Sequence, residues 1–253
     1  RVLGVLADNG PAWAMADLAA HDAGITHLPL PGFFSPAQLR HAIEQTAADT
    51  LLTDRPECIG ALDLQFAIVG SWQGLTWMRR VVPPAELPAG TTKISFTSGS
   101  IGTPKGVCLS ADGLRATAEA VYRRLDDLPL ERHLAVLPLS LLLENVAGLY
   151  APLLRGMPIH LPPLADLGWR GMAGFDPVAL DAAVRASAAS SVILVPELLK
   201  AWTMLLQNAG RQAQDGLRFA AVGGGRVDPD LLRQARERGI PAYQGYGLTE
   251  CGS

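Results

Sequence analysis

The residues best equipped for chemistry lie in one run, Phe96-Thr97-Ser98-Gly99-Ser100-Ile101-Gly102-Thr103-Pro104-Lys105-Gly106-Val107. It sits between Lys93–Phe96 and Val107–Leu109, two short apolar stretches that read as strands. Glycines let the backbone take positive φ and let several N–H groups converge on one anion. The hydroxyls of Thr97, Ser98, Ser100 and Thr103 add neutral donors, and Lys105 adds a point charge able to follow a shifting phosphate. A polyphosphate is the ligand that such a set would hold. The run breaks the Walker order, because Thr103 and Pro104 separate Gly102 from Lys105, and it opens no helix. A P-loop NTPase and a Rossmann fingerprint are therefore both excluded. By itself a Ser/Thr/Gly-rich loop is a solvated connection.

The run resembles the phosphate-binding signature of the adenylate-forming (AMP-binding) superfamily, [YF]-T-S-G-[ST]-T-G-x-P-K-G-V, with Ile101 where threonine is usual. Two further stretches resemble the same family. Val222-Gly223-Gly224-Gly225-Arg226-Val227 follows a strand and stands where the family has G-G-[AE]-P-[LM], departing at Gly225 and Arg226. Tyr243-Gln244-Gly245-Tyr246-Gly247-Leu248-Thr249-Glu250 matches the Y-G-x-T-E element. Tyrosine offers a flat face to a base, threonine a hydroxyl to a phosphate, and glutamate a hard oxygen to Mg²⁺. The resemblance implies that Thr97, Ser98, Gly99, Ser100, Gly102, Thr103 and Lys105 hold the β- and γ-phosphates of ATP. It places Gly223, Gly224, Gly225, Gln244, Gly245, Tyr246 and Gly247 around adenosine, Thr249 on the α-phosphate and Glu250 on Mg²⁺. Thr97, Lys105, Thr249 and Glu250 are the catalytic set so implied.

Leu137-Pro138-Leu139-Ser140-Leu141-Leu142-Leu143-Glu144-Asn145-Val146-Ala147-Gly148-Leu149-Tyr150 looks like the L-P-L-S-H-x-x-E-R-x-x-G-x-Y stretch of long-chain fatty acyl-CoA synthetases. Here Leu141 replaces histidine and Asn145 replaces arginine. That likeness implies an apolar acyl wall containing Leu141, Asn145, Val146 and Val195, and a fatty acid as substrate. The implied reaction is acyl-adenylate formation from ATP, followed by thioester formation with CoA or a carrier-protein thiol. Relatives go on to a ribose-binding aspartate, a hinge and a small domain bearing a catalytic lysine. Because the chain starts at Arg1 and stops at Ser253, it reads as an interior piece of a longer ligase, weak or inactive alone. A nucleotide- or acyl-binding homologue without catalysis, and an aryl- or amino-acid-adenylating domain, are the alternatives.

The elements that must position these residues follow from patterning. Short apolar runs alternate with amphipathic helices, and Ser35-Pro36, Asp176-Pro177 and Asp228-Pro229 each place a capping side chain before a proline at the first helical position. This predicts an α/β fold of two similar subdomains, each a largely parallel sheet flanked by helices, with a ligand cleft between them. The glycine- and proline-rich stretch 162–174 suggests a division into 1–165 and 166–253. Residues 70–90 are read as an irregular link, and Leu141–Arg155 as a helix.

Composition bounds the rest. Of 253 residues 49% are apolar, enough for a sizeable core, and the net charge of −3 with no basic run argues against nucleic acid as partner. No stretch has the length and apolarity of a transmembrane helix. Three scattered cysteines fit a reducing, cytoplasmic setting, and five histidines form no ligand pair at helical spacing.

Overall fold

A computed structural model describes residues 1–97, 104–171 and 174–252. In chain order the first part runs β1 (Val2–Leu6), α1 (Pro11–Asp22), β2 (Thr26–Pro29), α2 (Pro36–Gln45), β3 (Thr50–Thr53), α3 (Pro56–Gly60), β4 (Ala67–Trp72), β5 (Leu75–Arg79), β6 (Thr91–Thr97) and β7 (Lys105–Ser110). These strands form a seven-stranded sheet in the order β4-β5-β3-β1-β2-β6-β7. Its centre, β3-β1-β2-β6, is parallel, and β5, β4 and β7 join antiparallel at the flanks. The parallel strands β1, β2 and β3 are almost wholly buried, as expected of a sheet covered by helices.

The second part runs α4 (Ala111–Arg124), β8 (His133–Leu134), a π-helical segment (Glu144–Tyr150), α5 (Ala151–Leu154), β9 (Ile159–His160), α6 (Pro177–Ser187), β10 (Ser191–Leu194), α7 (Pro196–Asn208), β11 (Phe219–Val222), α8 (Pro229–Glu237) and β12 (Ala242–Gln244). Its five strands, β12-β11-β10-β8-β9, are all parallel.

The capping side chains behave as the sequence implies. Ser35 accepts from the Gln38 N–H while the Gln38 side chain returns to the Ser35 N–H, and Asp176 and Asp228 accept from Val178 and Asp230.

Three features differ from the sequence expectations. The stretch 70–90 is not all link: β4 and β5 form a hairpin closed by Gln73 (φ 50) and Gly74 (φ 81). Two consecutive positive φ values define the tight turn that suits twisted strands, and glutamine is not a residue that advertises it. Second, β8 and β9 belong to the sheet of the second part, so the change of sheet falls across α4 and not near residue 165. Third, the helix read over Leu141–Arg155 is wound as a π-helix from Glu144 to Tyr150 before returning to α.

The π winding has a visible cause. Asn145 and Tyr150 are five residues apart, about 140° around an α-helix, whereas i→i+5 bonding stacks them on one side. Both reach the same carboxylate: Asn145 Nδ2 and Tyr150 Oη each donate to Asp17 Oδ2 at 2.8 Å. Lys93 Nζ lies 2.8 and 3.1 Å from the two Asp17 oxygens and also donates to Tyr150 Oη and to Asn145 Oδ1. His27, the register neighbour of Lys93, completes the cluster with Nδ1 2.6 Å from Asp17 Oδ1, though not aligned as a hydrogen bond. Helix α1, strands β2 and β6 and the π segment are thereby tied at one buried point.

Burial would raise the Asp17 carboxyl, but the Lys93 ammonium and His27 override it and hold the group far below the carboxylate range. Burial pushes Lys93 down, against the pull of Asp17, and pushes His27 down in the same way. A pH effect follows for His27. Its folded pKa lies below the ordinary ~6.5, so as pH falls past that value the unfolded chain takes up a proton that the fold refuses, and stability drops. Asp17 adds no slope above about pH 5, being ionised in both states there. Urea midpoints at pH 7.0 and 5.5 should show a His27-dependent loss of up to about 1.2 kcal/mol, absent in His27→Phe. An equal loss in that variant would assign the slope to other groups.

Candidate functional site

Between the two sheets lies a cavity of about 770 Å³. Ser95, Phe96 and Thr97 at the end of β6 form part of its wall. Val222, Gly223 and Gly224 at the end of β11 form another part, with Gly245, Tyr246, Gly247 and Thr249 beyond β12. The ends of parallel strands at such a junction are where α/β sheets take ligands. The stretches 96–97 and 245–249, more than a hundred residues apart in sequence, thus face one space.

The mouth is built for close approach of a ligand. Gly224 adopts φ +78, and a Cβ on Gly223 would lie 2.9 Å from Leu143 Cδ2. Tyr246 is 90% exposed while lining the cavity, so one face of its ring is free for a planar group. The turn Thr249–Cys251 packs against β7, and Thr117 Oγ1 on α4 donates to the Cys251 carbonyl at 3.5 Å. Strand β7 begins at Lys105, paired with Thr97 across the hairpin. A Cβ on Gly106 would meet Phe96 at 3.1 Å, so glycine lets the Phe96 ring lie across β7. His41 Nε2, 3.1 Å from the Pro104 carbonyl, anchors the return of the chain into β7.

Of the residues expected at the site, Thr97, Gly223, Gly224, Gly245, Tyr246, Gly247, Thr249, Leu141 and Val195 line the cavity. Lys105 and Glu250 are exposed beside it, and Gly225 and Gln244 are exposed outside its lining. Ser98, Gly99, Ser100, Gly102 and Thr103 lie outside the described residues.

Asn145 and Val146 are absent from the lining. Asn145 is 2% exposed and turned to Lys93 and Asp17, and Val146 is fully buried against Leu109, Leu114 and Ala118. The π winding turns both away from the ligand space expected for them.

Among the polar lining residues that had no place in the sequence expectations are His133 on β8 and Ser191 on β10. They are register partners, with His133 Nδ1 3.0 Å from Ser191 Oγ, and His133 Nε2 lies 2.8 Å from Glu144 Oε1. A polar side chain heading each of two otherwise apolar strands is the signal that could have found them.

A mixed sheet joined to a parallel one, with glycine-bare backbone at a shared mouth, defines an α/β protein with a ligand cavity between its sheets. The chain matches the AMP-binding enzyme family over residues 1–253 and belongs to it. It is 29% identical over 255 residues to a feruloyl-CoA synthase from an Amycolatopsis species, covering 97% of this chain and 48% of that protein. It is 26% identical to tyrocidine synthase 3 from Brevibacillus parabrevis, covering 99% of this chain and 4% of that protein. Its fold is similar to that of o-succinylbenzoate CoA synthetase from Bacillus subtilis in complex with ATP and magnesium ion. That likeness has a TM-score of 0.73 at 21% identity and covers 99% of this chain and 50% of the other. The chain thus spans half or less of these proteins.

Proposed function

We propose that the cavity binds ATP and a carboxylic acid, and that the protein joins them as an acyl-adenylate before passing the acyl group to a thiol. The observation that carries this reading is the single cavity shared by Thr97, Gly223–Gly224, Gly245–Gly247 and Thr249. A carboxylate oxygen attacks the α-phosphorus, the bond to the bridging oxygen breaks, and pyrophosphate leaves in line. Charge grows on phosphate oxygens, where preplaced donors contribute most. Thr249 is assigned to the α-phosphate, and Thr97, Ser98, Gly99, Ser100, Gly102, Thr103 and Lys105 to the β- and γ-phosphates. Adenosine lies along Gly223, Gly224, Gly225, Gln244, Gly245 and Gly247, with Tyr246 against the base.

Among the described residues no cluster of three His, Cys, Asp or Glu side chains forms. Mg²⁺ would therefore rest on Glu250 and on phosphate oxygens, supplying charge neutralisation there.

The acid's body is assigned to the apolar wall of Leu130, Leu137, Leu141, Leu142, Ile193 and Val195, which favours a fatty chain. Coenzyme A is the thiol favoured by the CoA-ligase names among the relatives.

The test is a titration of the chain with ATP·Mg²⁺, followed by a panel of fatty, aryl and amino acids scored for acyl-adenylate by mass spectrometry. Saturable ATP binding with fatty acyl-adenylate supports the reading in full. ATP binding that is unchanged by Glu250→Gln together with Thr249→Ala would overturn the assignment of the site.

A further inference from the structure

The acyl end of the cavity holds a polar device that a plain hydrocarbon would leave unused. Ser191 and His133 line its floor, and Glu144, outside the lining, completes a line of hydrogen bonds with them, all three buried. Glu144 Oε2 accepts from the Leu137 N–H at 2.9 Å, so the carboxylate is fixed at both oxygens. A carboxylate only accepts, so Nε2 of His133 carries a proton, and in the neutral ring Nδ1 then accepts from the Ser191 hydroxyl. The Ser191 oxygen is left with lone pairs and no hydrogen to give. The apolar lining of the same cavity includes Leu130, Leu137, Val192 and Phe219.

Ser191 opens β10 and Val195 follows its end, so the floor lies ~13 Å along the strand direction from the glycine-bare mouth. Arg155 also lines this region, but its guanidinium is spent on the carbonyls of Leu125, Asp126 and Leu128. An ionised carboxylate only accepts, so a second one at the floor would find no hydrogen on the Ser191 oxygen to receive.

We propose that Ser191, oriented by His133 and Glu144, accepts a hydrogen bond from a neutral donor at the far end of the acid. The substrate class is then an acid carrying a distal hydroxyl, in preference to a plain chain or a dicarboxylic acid. This rests on the acid-binding reading above. A site holding a buried acceptor discriminates against a ligand that leaves it unpaired.

The experiment is calorimetric titration of the chain, saturated with a non-hydrolysable ATP analogue and Mg²⁺, with ω-hydroxydecanoic, ω-methoxydecanoic, decanoic and decanedioic acids. The hydroxy acid is expected to bind about tenfold or more tightly than the other three. Ser191→Ala should remove the preference by weakening only the hydroxy acid, and Ser191→Thr should restore it. Thermal melts of each variant check that the fold is kept. Equal binding of decanoic and ω-hydroxydecanoic acids would overturn the Ser191 inference while leaving acid binding intact. Binding of none of the four acids would overturn the acid-binding reading itself, and the inference with it.

Discussion

Replacing Asp17 by alanine is expected to destabilise the protein by about 3–5 kcal/mol, the cost of leaving a buried charge without its partner. Asp17 is 1% exposed and Lys93 2%, so neither can turn to water without opening α1 from the sheet. Once the carboxylate is gone, Lys93 Nζ keeps only Tyr150 Oη and Asn145 Oδ1 as neutral partners. Tyr150 Oη and Asn145 Nδ2 both lose their acceptor.

A double variant, Asp17→Ala with Lys93→Met, removes both charges and should recover a large part of the loss, because an apolar replacement of a buried pair is often close to neutral. Urea unfolding of the parent, both single variants and the double gives the coupling directly. Additive losses would show that the ammonium is not confined as described. The same knot joins β6, which delivers Thr97 to the cavity, to the π segment beside it. Loosening at Asp17 should therefore be felt at the ligand mouth.

Much of this architecture is legible in the residues themselves. Buried stretches such as Val2–Leu6 and Val192–Leu194 are continuous apolar runs, and three helices announce their starts by a capping side chain followed by proline. The candidate site was legible as far as motif resemblance carries it. Thr97, Gly223, Gly224, Tyr246 and Thr249 stand in runs that resemble the phosphate- and adenosine-binding motifs of the AMP-binding family, and they line one cavity.

What escaped depends on contacts across the chain. Asn145 and Val146 were assigned to the acyl wall by a resemblance of their stretch to fatty acyl-CoA synthetases, and the winding there differs because Asp17, 128 residues away in sequence from Asn145, sits where it can collect both Asn145 and Tyr150. The β4–β5 hairpin was hidden because Gln73 takes positive φ without the asparagine or glycine that usually marks such a turn. His133 and Ser191 were unreadable as a pair because only the register of β8 against β10 brings them together.

That pair depends on a third residue, and Gly148→Ala is expected to break it. A Cβ at this position would lie 2.0 Å from Glu144 Oε1 and 2.7 Å from His133 Nε2. Neither neighbour is the free end of a flexible chain: Glu144 is fully buried and held at both oxygens, and His133 is held at both ring nitrogens. The methyl group must therefore expel the carboxylate from its bonds or spread the π segment from β8. Each buried group left unpaired costs about 1–3 kcal/mol, so a loss of about 3–5 kcal/mol is expected in urea unfolding, far above an ordinary Gly→Ala change. Adding Glu144→Ala to Gly148→Ala opens room for the methyl group, and the double variant should unfold at least about 1 kcal/mol later than the sum of the singles requires. If Gly148→Ala instead unfolds within about 0.5 kcal/mol of the parent, the carboxylate has somewhere else to go. Glu144 would then not be what keeps the proton on the inner nitrogen of His133, and the Ser191 hydroxyl would be free to turn its hydrogen into the cavity.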